Sequence, residues 1–152
     1  MNIMLKKMIT VVVIIISFLL TGCASVKMAS KEADLKLKNF AQPPSDKAGL
    51  YIYRNTWFGL ALKKKVYLDS VLIGETANQV YFYKLISPGH HSLATESEFG
   101  ENWIIFQADS GQNYFAEQYI KFGVFVGGAG IKMVDEEVGM SEVLECSLAE
   151  PL

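Results

Sequence analysis

Apolar residues are distributed along this chain in two ways. From Met8 to Leu20 they are almost continuous, Met-Ile-Thr-Val-Val-Val-Ile-Ile-Ile-Ser-Phe-Leu-Leu, directly after Lys6 and Lys7. Past residue 47 they come in short blocks divided by turn-forming residues. The first run is shorter than the about 20 residues that a membrane span requires. A basic start, a short apolar stretch and small residues before a cut site together form an export signal, so residues 1–22 read as a signal peptide.

The later blocks read as strands. Leu50-Tyr51-Ile52-Tyr53-Arg54 is apolar on both faces, which suits a central strand. Val66-Tyr67-Leu68 and Val71-Leu72-Ile73-Gly74 flank Asp69-Ser70, a hairpin turn with Ser where Gly is usual. Residues 79–86 alternate, with Tyr81, Tyr83 and Leu85 on one face and Val80, Phe82 and Ile86 on the other. Ser87-Pro88-Gly89 is a turn in which Pro presets φ and Gly takes the positive-φ corner. Further strands are expected over 90–95, 103–108, 113–121 and 131–134, with turns at 98–102 and 109–112. Residues 123–130 hold four glycines among apolar residues and read as a mobile loop or a kinked strand edge.

Met140, Val143, Leu144 and Ser147 recur at helical spacing, so a short helix is expected over 136–148. Gly139 weakens that pattern. Residues 24–47 are polar and end in Gln42-Pro43-Pro44-Ser45-Asp46-Lys47, so they read as a flexible tether with one short helical turn over 29–37. The expected fold is therefore mainly β. It is a small antiparallel β-sandwich over 48–152 with a short C-terminal helix, preceded by a tether over 23–47.

Composition narrows the function. Removing residues 1–22 leaves 130 of the 152 residues, enough for one domain. It also takes Lys6 and Lys7 from the 14 basic residues, leaving 12 against 16 acidic ones, a net charge of −4. A basic face for nucleic acid is not expected. The chain has two cysteines, Cys23 and Cys146. Cys146 lies between Leu144 and Leu148 and near Glu142 and Glu145, which suits a buried small hydrophobe better than a reactive thiol.

Leu20-Thr21-Gly22-Cys23 resembles the lipobox of bacterial lipoproteins. The resemblance implies cleavage between Gly22 and Cys23, diacylglycerol on the Cys23 sulfur and acylation of the new amino group. Several acyl chains together give stable anchoring where one does not. Ala24, rather than Asp, follows the cysteine, which resembles an outer-membrane address facing the periplasm.

Residues 66–76, Val-Tyr-Leu-Asp-Ser-Val-Leu-Ile-Gly-Glu-Thr, and residues 83–93, with Ser87-Pro88-Gly89-His90-His91, look like the pattern of PEGA-type β-sandwich domains. Ser70 stands where those domains carry glycine, and the motif that names them is absent. Leu50-Tyr51-Ile52-Tyr53-Arg54, the hairpin, Ser87-Pro88-Gly89-His90-His91 and Ala108-Asp109-Ser110-Gly111-Gln112-Asn113-Tyr114-Phe115 also occur in order. That order resembles the bacterial lipoprotein family catalogued as domain of unknown function twenty-eight forty-six. The resemblance implies a lipobox joined to one β domain, and no activity or ligand.

Candidate chemistry is sparse. His90 and His91 are the two histidines, and neighbours on a strand face opposite ways, so they do not converge on one metal. Either is expected on the surface after the turn. Glu96, Glu98 and Glu101 lack the tight spacing of a calcium loop. Lys63-Lys64-Lys65 reads as a solvated loop that could also meet anionic headgroups. Trp57, Phe58 and Leu60 either fold back over a sheet edge, the favoured role, or serve as interface anchors. Val124, Phe125 and Val126 raise the same choice.

The resulting expectation is a lipid-anchored, non-catalytic envelope lipoprotein without cofactor. Its membrane contact runs through lipid on Cys23, and its domain binds an envelope protein or cell-wall component through Trp57, Phe58, Phe125 and Val126. Two other readings stand beside it: a hydrolase acting on cell-wall or lipid material, and a structural spacer.

Overall fold

The computed structural model describes residues 25–97, 99–123 and 127–152. Helix α1 (Lys31–Leu37) precedes strands β1 (Ala48–Arg54), β2 (Lys64–Leu68), β3 (Val71–Thr76), β4 (Val80–Ile86), β5 (Gly89–Ser97), β6 (Gly100–Ala108), β7 (Asn113–Lys121) and β8 (Gly128–Val134). Helix α2 (Glu136–Leu144) and the short β9 (Ser147–Leu148) follow. The strands form two sheets, ordered β8-β7-β1-β4-β9 and β3-β2-β5-β6, and the fold is mainly β, as the alternating blocks indicate.

Most neighbours are antiparallel, but β1 lies parallel to β7 and β4 parallel to β9. The chain reaches β7 only after building the second sheet. It returns beside β1 travelling in the same direction.

The inner faces meet in a core that includes Leu50, Ile52, Val66, Phe82, Leu93 and Ala116. A second apolar layer lies on the outer face of the first sheet, where Tyr51, Tyr53, Tyr81 and Phe115 are covered by Leu37, Phe40 and Val143. That double burial is why β1 reads as apolar on both faces. Gly139 lets α2 approach the sheet: a Cβ there would overlap Phe115 Cβ and Cγ. The break in the helical pattern is thus a contact requirement.

Among the described residues, the outer face of the second sheet has no such cover. Trp103 and Ile105 are exposed there, beside a shallow groove lined by Tyr67, Ser92, Ala94 and Glu101.

A buried polar bridge joins the sheets. Gln118 of β7 donates to Thr95 Oγ1 at 2.6 Å and accepts from the Thr76 hydroxyl, while Thr95 donates to Lys65 O at 2.9 Å. Each buried side chain thereby has a partner, which is the condition for tolerating polarity in a core.

Residues 25–47 depart from the expected free tether. Ser30 caps α1 by accepting from Ala33 N at 3.2 Å, and Asp34 Oδ1 accepts from Leu148 N at 3.0 Å. Ala29 N donates to Leu148 O at 2.9 Å, and Met28 bridges Ala149. Leu37 and Phe40 supply the apolar cover that the tyrosines of the first sheet need, and this outweighs the polar composition of the segment.

Three smaller differences have local causes. The last helix ends at Leu144, because residues 147–148 pair with Val80 and Tyr81 of β4. Lys64 is buried at the start of β2, between exposed Lys63 and half-buried Lys65. Gly128, Ala129 and Gly130 belong to β8, where a Cβ at position 130 would meet the Tyr119 ring.

Candidate functional site

Arg54 ends β1 and is fully buried. Its guanidinium turns into the loop that follows, donating to Leu62 O at 2.6 Å and to Gly59 O. No carboxylate accepts from it in these contacts, and burial lowers its pKa to about 10. It stays charged near neutrality and pins the loop through two carbonyls.

Other contacts complete the loop. Thr56 N donates to Asn78 Oδ1 at 2.9 Å, Phe58 N to Thr56 Oγ1 at 3.1 Å, and Leu62 N to Gly59 O at 3.0 Å. Asn55 Nδ2 donates to Glu142 Oε2 at 2.9 Å, tying the loop start to α2. Gly59 has φ +71 and lies against Ile120 of β7, a close approach that only glycine makes easily.

This frame presents an apolar tip. Trp57 is 85% exposed and Phe122 87% exposed, and Phe58 bridges them with ring centroids 6.0 Å from Trp57 and 4.5 Å from Phe122. Leu60 is also exposed. Strand pairing brings a fifth residue to the same end. Ser97 pairs with Gly100 at the turn between β5 and β6, and Val66 with Thr95, so exposed Phe99 caps the end of the second sheet where β2 begins. Trp57 therefore does not cover a sheet edge, the role favoured from sequence. Its loop is held from beneath by Arg54, and the ring is left outside.

Phe58 joins the tip, whereas Phe125 and Val126 lie outside the described residues, as do Gly22 and Cys23. Phe122 went unselected. It follows the strand's alternation directly, and only the partnership with Phe58 marks it out.

The histidines separate. His90 is exposed, and His91 sits between Asp69 Oδ2, 2.6 Å from Nδ1, and Ser87 O, 2.7 Å from Nε2. Burial opposes protonation of His91, but its bonds to Asp69 and Ser87 and the charge of Asp69 outweigh this and raise its pKa. When protonated the ring donates to both acceptors, and each nitrogen is turned toward an oxygen of the fold and not toward a serine or cysteine side chain.

Lys63 lies 3.7 Å from Glu75, and Lys65 lies 3.9 Å from Glu96. Cys146 is buried, its thiol pushed up to about 12 by burial and then by Glu142. Among the described residues, no group of three or more His, Cys, Asp or Glu could hold a metal ion.

The family described as "Protein of unknown function (DUF2846)" matches residues 44–129. An uncharacterized protein of Haemophilus influenzae is 46% identical over 134 residues, covering 88% of this chain and 80% of the relative. No solved structure matches the chain. The matched segment runs from β1 into β8 and includes the Arg54 loop and the Asp69-Ser70 hairpin. On that match, the chain belongs to the DUF2846 family of proteins of unknown function.

Proposed function

We propose that this protein is a lipid-anchored envelope lipoprotein whose sandwich is a non-catalytic contact module, engaging another envelope component through the aromatic tip. The observation that carries the reading is Trp57, 85% exposed on a loop fixed by a buried arginine. A rigid exposed aromatic loses little conformational freedom on contact and offers much apolar area, the profile of an interface anchor. Clustered apolar exposure of this kind marks an interaction site more often than a free surface.

The anchor half of the reading rests on Leu20-Thr21-Gly22-Cys23. The non-catalytic half is supported by the occupied nitrogens of His91 and by the high pKa of the Cys146 thiol.

The test is affinity capture after crosslinking of tagged protein in its own membranes, read by mass spectrometry. Cys23→Ala and a Trp57→Ala/Phe122→Ala double variant serve as comparisons. Labelled acyl chain on the wild type and none on Cys23→Ala, with crosslinks reduced in the double variant, is the expected result. Wild-type crosslinks that survive loss of both rings would remove the tip from the proposal.

A further inference from the structure

The docked segment 25–30 leaves little slack between the acyl-acceptor position and the domain. Val26 packs against the inter-sheet core, Glu150 N donates to Lys27 O at 2.9 Å, and Lys27 Nζ lies 2.5 Å from Glu150. Cys23 precedes Ser25 by two residues, a span of at most about 7 Å of extended chain. A free tether of about 20 residues would instead have reached about 25 Å on average. Acylated Cys23 therefore seats the domain at the headgroups.

The chain enters the domain beside Lys63, the residue that precedes β2. Ser25 shares a groove of about 410 Å³ with Lys63, Gly74 and Glu75, and Lys63 closes the loop that carries Trp57 and Leu60. Trp57, Leu60, Phe99 and Phe122 all project at the end of the sandwich where β1 and β7 finish and β2 begins.

We propose that this end docks on the lipid surface of the leaflet that holds the anchor, with Trp57, Leu60, Phe99 and Phe122 set among headgroups and upper acyl chains. The proposal rests on acylation of Cys23 and names lipid as the component met by the tip. Tryptophan is enriched at the membrane–water boundary, where its apolar body and polar N–H are both accommodated. Of the nearby lysines, Lys63 and Lys65 are matched by Glu75 and Glu96, and Lys121 lies over the Tyr119 ring, so they add little attraction of their own. Docking is therefore apolar in character and does not require anionic lipid.

The chain has two tryptophans, and they make the experiment internal. Trp103→Phe leaves Trp57 as the sole emitter, and Trp57→Phe leaves Trp103, which lies on the bare face of the second sheet. Each full-length variant, purified from membranes, is reconstituted in phosphatidylcholine vesicles with ordinary or brominated acyl chains.

Trp57 is expected to emit further to the blue than Trp103 and to lose most of its intensity in brominated lipid, while Trp103 keeps its own. Replacing part of the lipid by phosphatidylglycerol leaves the quenching unchanged. Intact mass on the same samples reports the acyl groups. An acylated chain whose Trp57 emits equally in both lipids overturns the docking and leaves the anchor standing. A chain without acyl mass on Cys23 overturns both. Quenching that appears only with phosphatidylglycerol overturns the apolar seating.

Discussion

Gln118 Nε2 donates to Thr95 Oγ1 at 2.6 Å across the space between the two sheets. The same amide accepts from Thr76 of β3, so one side chain of the first sheet binds two strands of the second. Replacing it by a shape-similar apolar residue leaves two buried hydroxyls with fewer partners. Gln118→Leu should therefore lower unfolding stability by about 2 kcal/mol. Urea unfolding checks this, and an unchanged midpoint would mean that the bridge adds nothing net.

Helix propensity alone favours Gly139→Ala by about 1 kcal/mol. Contact with Phe115 opposes it, because the added carbon overlaps the ring root. Overpacking of a fixed core costs about 1–3 kcal/mol, so the variant should be the less stable protein. Phe115→Ala, which removes Cγ and the ring, should relieve part of that loss, and a double-mutant cycle reads the coupling.

Asp69 and Ser70 turn the β2–β3 hairpin with φ +50 and +67. Positive φ at both central positions is the type I′ geometry, which glycine adopts without the penalty a Cβ brings. Ser70 is exposed and makes the turn at some expense. Ser70→Gly should raise stability by about 0.5–1 kcal/mol, seen as a higher thermal midpoint with the fold unchanged.

The His91–Asp69 pair makes stability depend on pH. His91 has a raised pKa, so its contribution is complete below the ordinary histidine value of 6.5 and fades as pH climbs through the folded value. Desolvation pushes Asp69 up, but the Ser92 N–H and His91 pull harder and lower it. Its contribution is complete above the ordinary value of 3.8 and fades as pH falls through the folded value. The pair therefore helps most between these two ordinary values. The sites are partly solvated, so the gain stays below about 1 kcal/mol. Wild type should exceed His91→Gln most clearly near pH 5, with the gap narrowing toward pH 9; a gap that grows with pH would contradict the assignment.

Alternation and turn chemistry were enough to read β1, the Asp69-Ser70 hairpin, β4 and the Pro88-Gly89 turn, because each is specified within a few neighbouring residues. The cover on Tyr51, Tyr53, Tyr81 and Phe115 was not legible. It comes from α1 and α2, which lie far from these strands in the chain. Composition also hid the docking of residues 25–47, since Ala29, Ala33, Leu37 and Phe40 are its few apolar positions facing that layer. At the tip, Trp57 and Phe58 could be picked out as unusual loop residues. Their exposure could not, because it depends on where the Arg54 side chain turns, and Phe122 joins them only through a contact between distant loops.

The pairing of Met28 and Ala29 with Leu148 and Ala149 also orders events in time. Residues on either side of this seam are separated by nearly the whole folded chain, so the loop it closes is as long as the domain allows. A polypeptide delivered amino end first carries residues 25–30 without their partners until 147–150 have followed. The apolar layer on the tyrosines remains partly open through that interval. Closure of the domain thus waits on its last stretch, and that layer stays open until the seam is made.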